Sequence, residues 1–238
     1  MPLEYLGFSS GLDFETKIMV KEDAPRLLRQ ELSSPGWVPK VIALSGVTDP
    51  YQPVERCLKL TRACLAVLAE FRNPVAIVTK NSLVMRDLDL LAELAGCQAV
   101  AVFISVTTLD TELRRILEPR TSPPAARLAT ITALARAGIP TGVLVAPVIP
   151  GLNDHEIPAV IAAAASAVAS FAAYTILRLP FAVTPLFEEW LTRHVPEKNE
   201  RNTGGLPAPS SQASLECSRP REQQRPGTQP LRPFKSIG

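Results

Sequence analysis

The chain has 238 residues, 46% of them hydrophobic, with a mean hydropathy of +0.13; that is enough apolar material for one large domain or two small ones and too much for wholesale disorder. Twenty-five Lys and Arg against 23 Asp and Glu leave a net charge of +2, too even to coat nucleic acid or an anionic membrane by bulk charge. Cys57, Cys64, Cys97 and Cys217 are spaced too irregularly for a disulfide framework or a CxxC metal pair, and MPLEYLGFSSG lacks the basic start and apolar run of a signal peptide, so a reducing, cytoplasmic setting is expected.

Apolar runs and turn residues alternate along the chain in the manner of βα units around a parallel sheet. KIMVK (Lys17 to Lys21) predicts a short strand, and Asp23 to Leu32 a helix with Asp as cap and Pro in its first turn. VIALS (Val41 to Ser45) predicts the next strand, followed by the loop GVTDPYQP and a helix over Glu55 to Phe71, with Leu58, Leu65, Leu68 and Phe71 at helical spacing. VAIVT (Val75 to Thr79) reads as a strand and Asp87 to Leu94 as a helix. VAVFISV (Val100 to Val106) reads as a strand covered on both faces. Pro124 to Ala137 predicts a helix closed by Gly138 and Pro140. Val143 to Val148, Asp154 to Ala169, Tyr174 to Leu179 and Leu186 to His194 follow as strand, helix, strand and helix.

Ile157 to Leu177 runs without a charge for about the length of a bilayer span. Its Ala and Ser centre, Pro158 and the β-rich Tyr174 to Leu177 instead predict a helix followed by a buried strand. Six predicted strands are too few for a complete eight-stranded barrel, which leaves an incomplete barrel or an open doubly wound sheet. From Asn199 to Gly238 the text turns to Pro, Arg, Gln and Ser, with six basic and three acidic side chains and no periodicity. The expected organisation is thus an α/β body over 1–198 and a disordered low-complexity tail over 199–238.

In parallel α/β sheets functional groups collect just past the carboxyl ends of the strands. Those positions hold Ser45, Thr48, Asp49, Tyr51 and Gln52, then Lys80 and Asn81, then Ser105, Thr107 and Thr108, then Glu118 and Arg120, then Asn153, Asp154 and Arg178. Such a polar rim over an apolar base suits a small zwitterion or phosphate. Each residue also has a plain structural reading. Asp49 before Pro50 can cap its own turn, Lys80 can reach to solvent, Glu118 and Arg120 can form one exposed ion pair, and Ser105 can give its hydroxyl to a backbone carbonyl. His155 and His194 have no partners arranged for a triad or a metal, and no GxGxxG or Walker loop is present.

The segments carrying this rim are EYLGFSSGLDFETKIMVK (Glu4 to Lys21), SGVTDPYQPVE (Ser45 to Glu55), VTKN (Val78 to Asn81), SVTT (Ser105 to Thr108), LEPRTSPPAAR (Leu117 to Arg127), APVIPGLND (Ala146 to Asp154) and LRLP (Leu177 to Pro180). In order and spacing the chain resembles the radical SAM enzymes, specifically the branch similar to spore photoproduct lyase, over about Glu4 to Arg193. The resemblance implies a partial (β/α)6 barrel with a [4Fe-4S] cluster and S-adenosylmethionine (SAM) at the strand carboxyl ends, where SAM is reductively cleaved to a 5′-deoxyadenosyl radical. It implies SAM contacts at Thr48, Asp49, Lys80 and Ser105, with Arg120 toward the SAM carboxylate and the backbone of Val148 to Pro150 beside adenine. DNA as a partner is implied by analogy alone, because the body has no basic stripe with interleaved aromatics.

The family's CxxxCxxC motif lies immediately before the segment resembling EYLGF, and MPLEYLGF holds no cysteine. Cys57 and Cys64, on one predicted helix, would stand about 10 Å apart along its axis, and an iron–sulfur centre needs sulfur ligands. The expectation is a barrel incomplete at its N-terminus that lacks its cluster ligands and is inactive by itself, a gene fragment with a late start and a frame-shifted end. Two alternatives remain open at this point. One is a non-catalytic SAM-binding or interaction module that keeps Thr48, Lys80 and Ser105; the other is a barrel enzyme forming a Schiff base at Lys80.

Overall fold

The structure is a computed structural model that describes residues 19–45, 48–179, 183–195 and 214–215. Five strands, β1 (Ile42–Leu44), β2 (Val75–Thr79), β3 (Val100–Ser105), β4 (Thr141–Val148) and β5 (Ala172–Ile176), pair in parallel and in chain order. A sixth, β6 (Ser214–Leu215), runs antiparallel beside β5. A doubly wound sheet reverses its strand order at a switch point; here the winding proceeds in one direction throughout, as in a barrel. Of the two architectures the sequence left open, the partial barrel is the one observed.

Among the described residues the helices are α1 (Ala24–Leu32), α2 (Glu55–Leu58), α3 (Leu60–Glu70), α4 (Leu88–Gly96), α5 (Thr111–Leu117), α6 (Pro124–Arg136), α7 (Ile157–Ser166) and α8 (Thr184–His194). Single 3₁₀ segments, Ser82–Asp87 and Asp154–Glu156, lead into α4 and α7. Strand alternation sorts the residues. Ile77, Val102, Ile104, Val143 and Val145 are fully buried in one core with Leu65, Leu68, Leu91, Leu94, Ile131, Leu134 and Val160 of the helices. On the opposite face Val78, Phe103 and Leu144 are only half-buried. VAVFIS is therefore sealed by helices on one face and half-open on the other, and not covered on both sides as its unbroken apolar run suggests. A sheet that curls presents its concave side to the barrel interior, where the layer above β2 to β4 is the mouth.

Several expectations need correction. Lys17 and Ile18 of the KIMVK strand lie outside the described residues, and Met19 to Lys21 are exposed and form no strand; among the described residues β1 pairs with β2 alone, so this stretch has no ladder to join. The single helix expected over Glu55 to Phe71 is two, broken at Lys59, whose φ of 53° is left-handed. The break has a partner: the buried Glu55 carboxylate accepts from the N–H groups of Thr61 and Arg62 (3.1 and 3.4 Å), capping the start of α3. Tyr174 to Leu179 shifts to Ala172–Ile176 and is half-buried rather than buried. Helix α5 went unread, although Asp110 caps it by accepting from Glu112 and Leu113 (2.8 and 3.1 Å). Ile157 to Leu177 divides into α7 and β5, and no described helix is long and apolar enough to cross a membrane. Of the tail expected from Asn199, only the two β6 residues fall within the described residues.

Candidate functional site

The loop after β1 is tied to the end of β2 by Asp49. Its Oδ1 accepts from the Tyr51 N–H (2.8 Å) and the Thr79 hydroxyl (2.7 Å), and its Oδ2 accepts from the Lys80 N–H (2.7 Å). The turn-capping reading of Asp49 is thus observed, with a cross-strand clamp added. Asn81 donates back to the Tyr51 carbonyl (2.8 Å). Below the loop the fully buried Tyr51 hydroxyl donates to Asp87 (3.1 Å). Asp87, also fully buried, takes Arg62 at 3.1 Å and Arg86 at 2.9 Å. Burial, and then the Asp87 charge, push the Tyr51 hydroxyl well above the ordinary tyrosine range, so it stays a donor. Replacing Tyr51 by Phe leaves Asp87 its two arginines. The variant is expected to lose about 1 kcal/mol of unfolding free energy in urea titration.

By strand alternation Lys80 follows Val78 on the concave face and Ser105 follows Phe103, so the register brings the two to neighbouring positions at the mouth. Beside them stands Glu118, named on the rim from the sequence, with partners the sequence did not announce. The Glu118 Oε1 is ion-paired with the Lys80 ammonium and accepts from the Thr107 hydroxyl (2.7 Å), while its Oε2 accepts from Arg127 Nη2 (2.7 Å). Glu118 and Arg127 are buried. Burial alone would raise the Glu118 carboxyl, but Lys80 and Arg127, with the Lys80 and Thr107 hydrogen bonds, outweigh it and hold the group below the usual glutamate range. Arg127 also donates to the Ser122 carbonyl (2.7 Å), the Ser105 carbonyl (2.9 Å) and the Thr121 hydroxyl.

Glu118, weighed from the sequence as half of an exposed ion pair, is buried and paired with Lys80 and Arg127. Arg127 went unnoticed, although a cation in the first turn of α6, where the helix dipole disfavours it, signals a compensating carboxylate. Ser105 gives its hydroxyl to the Ala146 carbonyl (3.0 Å), the plain reading weighed for it. Thr48 and Arg120 are exposed on the rim. Lys80 does not stand by itself in an apolar pocket, the setting of a Schiff-base lysine; it is ion-paired with Glu118.

The next loop, PVIPGLND, follows a register irregularity between Val145 and Val148 that accommodates Pro147 inside β4, where a ladder donor is missing. Asn153, fully buried, closes it. Its side-chain amide donates to the Thr107 and Pro147 carbonyls (2.8 and 3.0 Å) and its oxygen accepts from the Ile149 N–H (2.6 Å). Glu156 accepts from the Thr108 hydroxyl (2.5 Å) and the Leu109 N–H (2.8 Å). The ends of β3 and β4 are thereby locked to each other.

A sulfur-ligated cluster finds no fit here. Among the described residues no group of three or more His, Cys, Asp or Glu could hold a metal ion. Cys57 is exposed on α2, Cys64 lies on α3 and Cys97 is exposed at the end of α4. Burial, and then Glu55, push the Cys64 thiol up to about 11, away from the thiolate that iron requires.

The profile of the Radical SAM superfamily matches residues 11–164. The uncharacterized protein Rv2578c of Mycobacterium tuberculosis is 39% identical over 196 residues, covering 82% of this chain and 58% of that protein. The uncharacterized protein MJ0683 of Methanocaldococcus jannaschii is 30% identical over 139 residues, 58% of this chain and 50% of that one. The chain thus spans 58% of the length of Rv2578c and half that of MJ0683. Among solved structures, Streptococcus suis SuiB, also solved bound to S-adenosylmethionine, aligns over 74% of this chain and 40% of its own, at 14% identity and a TM-score of 0.48.

Proposed function

The chain belongs to the radical SAM superfamily, and from that premise we propose that its described barrel mouth is a binding site for S-adenosylmethionine, in a protein of the branch similar to spore photoproduct lyase. The observation that carries this reading is the Lys80–Glu118–Arg127 group at the carboxyl ends of β2 and β3, two cations on one carboxylate, with Lys80 at the opening. An amino-acid carboxylate complements that surplus. The Asp49 clamp fixes Thr48 and Lys80 relative to each other, and Asn153 holds the loop of Val148 to Pro150 in place, which supports reading its backbone as the side that would flank adenine.

In the family, a sulfur-ligated iron cluster supplies the electron that cleaves SAM. The described residues offer that cluster no ligand set, and these 238 residues contain no CxxxCxxC. The reading proposed for the described residues is SAM binding, with Cys57 and Cys97 as free thiols.

Isothermal calorimetry of the chain against SAM should show saturable heat, and Lys80→Ala should weaken binding by about tenfold or more. Absence of heat from the wild-type chain overturns the reading. Anaerobic iron–sulfide reconstitution of the same sample should leave it without stoichiometric bound iron; a stable brown protein would show that the cysteines present do suffice.

A further inference from the structure

We propose that Glu118 is a positioning residue, one that pins the Lys80 ammonium at the barrel mouth so that it receives the carboxylate of the SAM amino-acid moiety, while Arg127 acts as the latch that holds Glu118. This rests on the SAM-binding reading above and deepens it by naming how one end of the ligand is recognised.

The three charges are unequally placed. The side chains of Arg127 and Glu118 are 1% and 7% exposed, whereas that of Lys80 is 27% exposed. Lys80 is thus the member of the group that reaches the opening. Arg127 spends its guanidinium on the Ser105 and Ser122 carbonyls, Thr121 and Glu118, which anchors it to the end of β3 and leaves it no reach toward a guest. A lysine by contrast has three N–H donors on a flexible stem. One donor engages Glu118; an ammonium so tethered keeps capacity for a second acceptor and has already lost the rotamer freedom that binding would otherwise cost. Glu118 is itself held from two sides, by Thr107 at 2.7 Å on one oxygen and Arg127 at 2.7 Å on the other.

Charge and position make opposite predictions, which renders the idea testable. Removing the Glu118 charge raises the positive potential at the mouth, so a purely electrostatic role would make Glu118→Gln favour an anionic guest more strongly. A positioning role makes it favour that guest less. Glu118→Asp keeps the charge and withdraws the carboxylate by one methylene, isolating geometry.

The experiment measures, by calorimetry on the whole chain, affinity for SAM and for decarboxylated SAM, which lacks only the carboxylate. The wild type is expected to prefer SAM about tenfold or more. In both Glu118 variants the preference should fall toward parity, with the decarboxylated ligand nearly unaffected. Lys80→Gln, which leaves the Glu118 to Arg127 pair in place, should abolish the preference by itself and serves if a Glu118 variant fails to fold by circular dichroism. An unchanged or enlarged preference in a folded Glu118 variant, or a preference that survives Lys80→Gln, overturns the inference while leaving SAM binding intact. No SAM binding by the wild type would instead remove the reading on which it rests.

Discussion

Arg127→Met is expected to lower the free energy of unfolding by about 3–5 kcal/mol, because it leaves the Glu118 carboxylate buried with a single, partly exposed cation. The penalty comes from the stranded charge and not from the worth of the pair. The double variant Arg127→Met with Glu118→Leu should therefore be more stable than Arg127→Met, and a double-mutant cycle in urea would read the difference. A double variant that is weaker still, by the sum of the two single losses, would mean that the groups do not act as a unit.

The pH dependence has a definite sign. The folded Glu118 carboxyl lies below its unfolded value, so its contribution is complete above the ordinary glutamate range, about pH 4.3, and is lost as the pH falls through the folded value. Once Glu118 is protonated it no longer needs Arg127, and the gap between wild type and Arg127→Met should narrow in acid. A gap that stays constant down through that range would place the loss elsewhere.

Gly142→Ala is the second large effect, expected at about 2–3 kcal/mol. A Cβ at this position would lie 1.9 Å from Cδ2 and 2.2 Å from Cε2 of Phe171, and 2.5 Å from the Phe171 carbonyl oxygen. The ring could swing only by leaving its contact with Phe103, whose centroid is 4.7 Å away. The carbonyl cannot move at all without breaking its bond to the Val143 N–H (3.0 Å), which starts the β4 to β5 ladder. Adding Phe171→Ala should hence recover part of the loss and not the whole. The urea midpoint should fall with the slope unchanged; a midpoint within a few tenths of wild type would show that β5 is free to retreat.

The two sites bear on function in different ways. Gly142 leaves the room that the Phe171 ring and carbonyl occupy against β4, beside the first bond of the β4 to β5 ladder. Arg127 spans from the helix layer to the end of β3 and fixes the rim itself. Damage at Gly142 should lower stability and SAM capacity together, whereas a change at Glu118 should alter which ligand is preferred.

Local signals in the chain were enough for a parallel α/β body and for the place of its functional rim. The apolar runs VAIVT and VAVFIS form strands where they were read; the motifs TDPYQPVE and PVIPGLND lie at the carboxyl ends of β1 and β4, whereas EPRTSPPAAR joins α5 to α6 and ends in the first turn of α6. These features depend on neighbours in sequence: hydrophobic period, proline, glycine and caps act within a few residues. Only the tertiary structure decided the strand order, because winding direction is a property of how βα units pack on one another, and nothing within a unit records it. It alone decided that Glu118 pairs with Lys80 and Arg127 across three separate elements. It decided too that Glu55 caps a second helix and breaks the first. Such choices come from burial, since a charge removed from water must find its partner wherever the fold brings one within reach, however far off it lies along the chain.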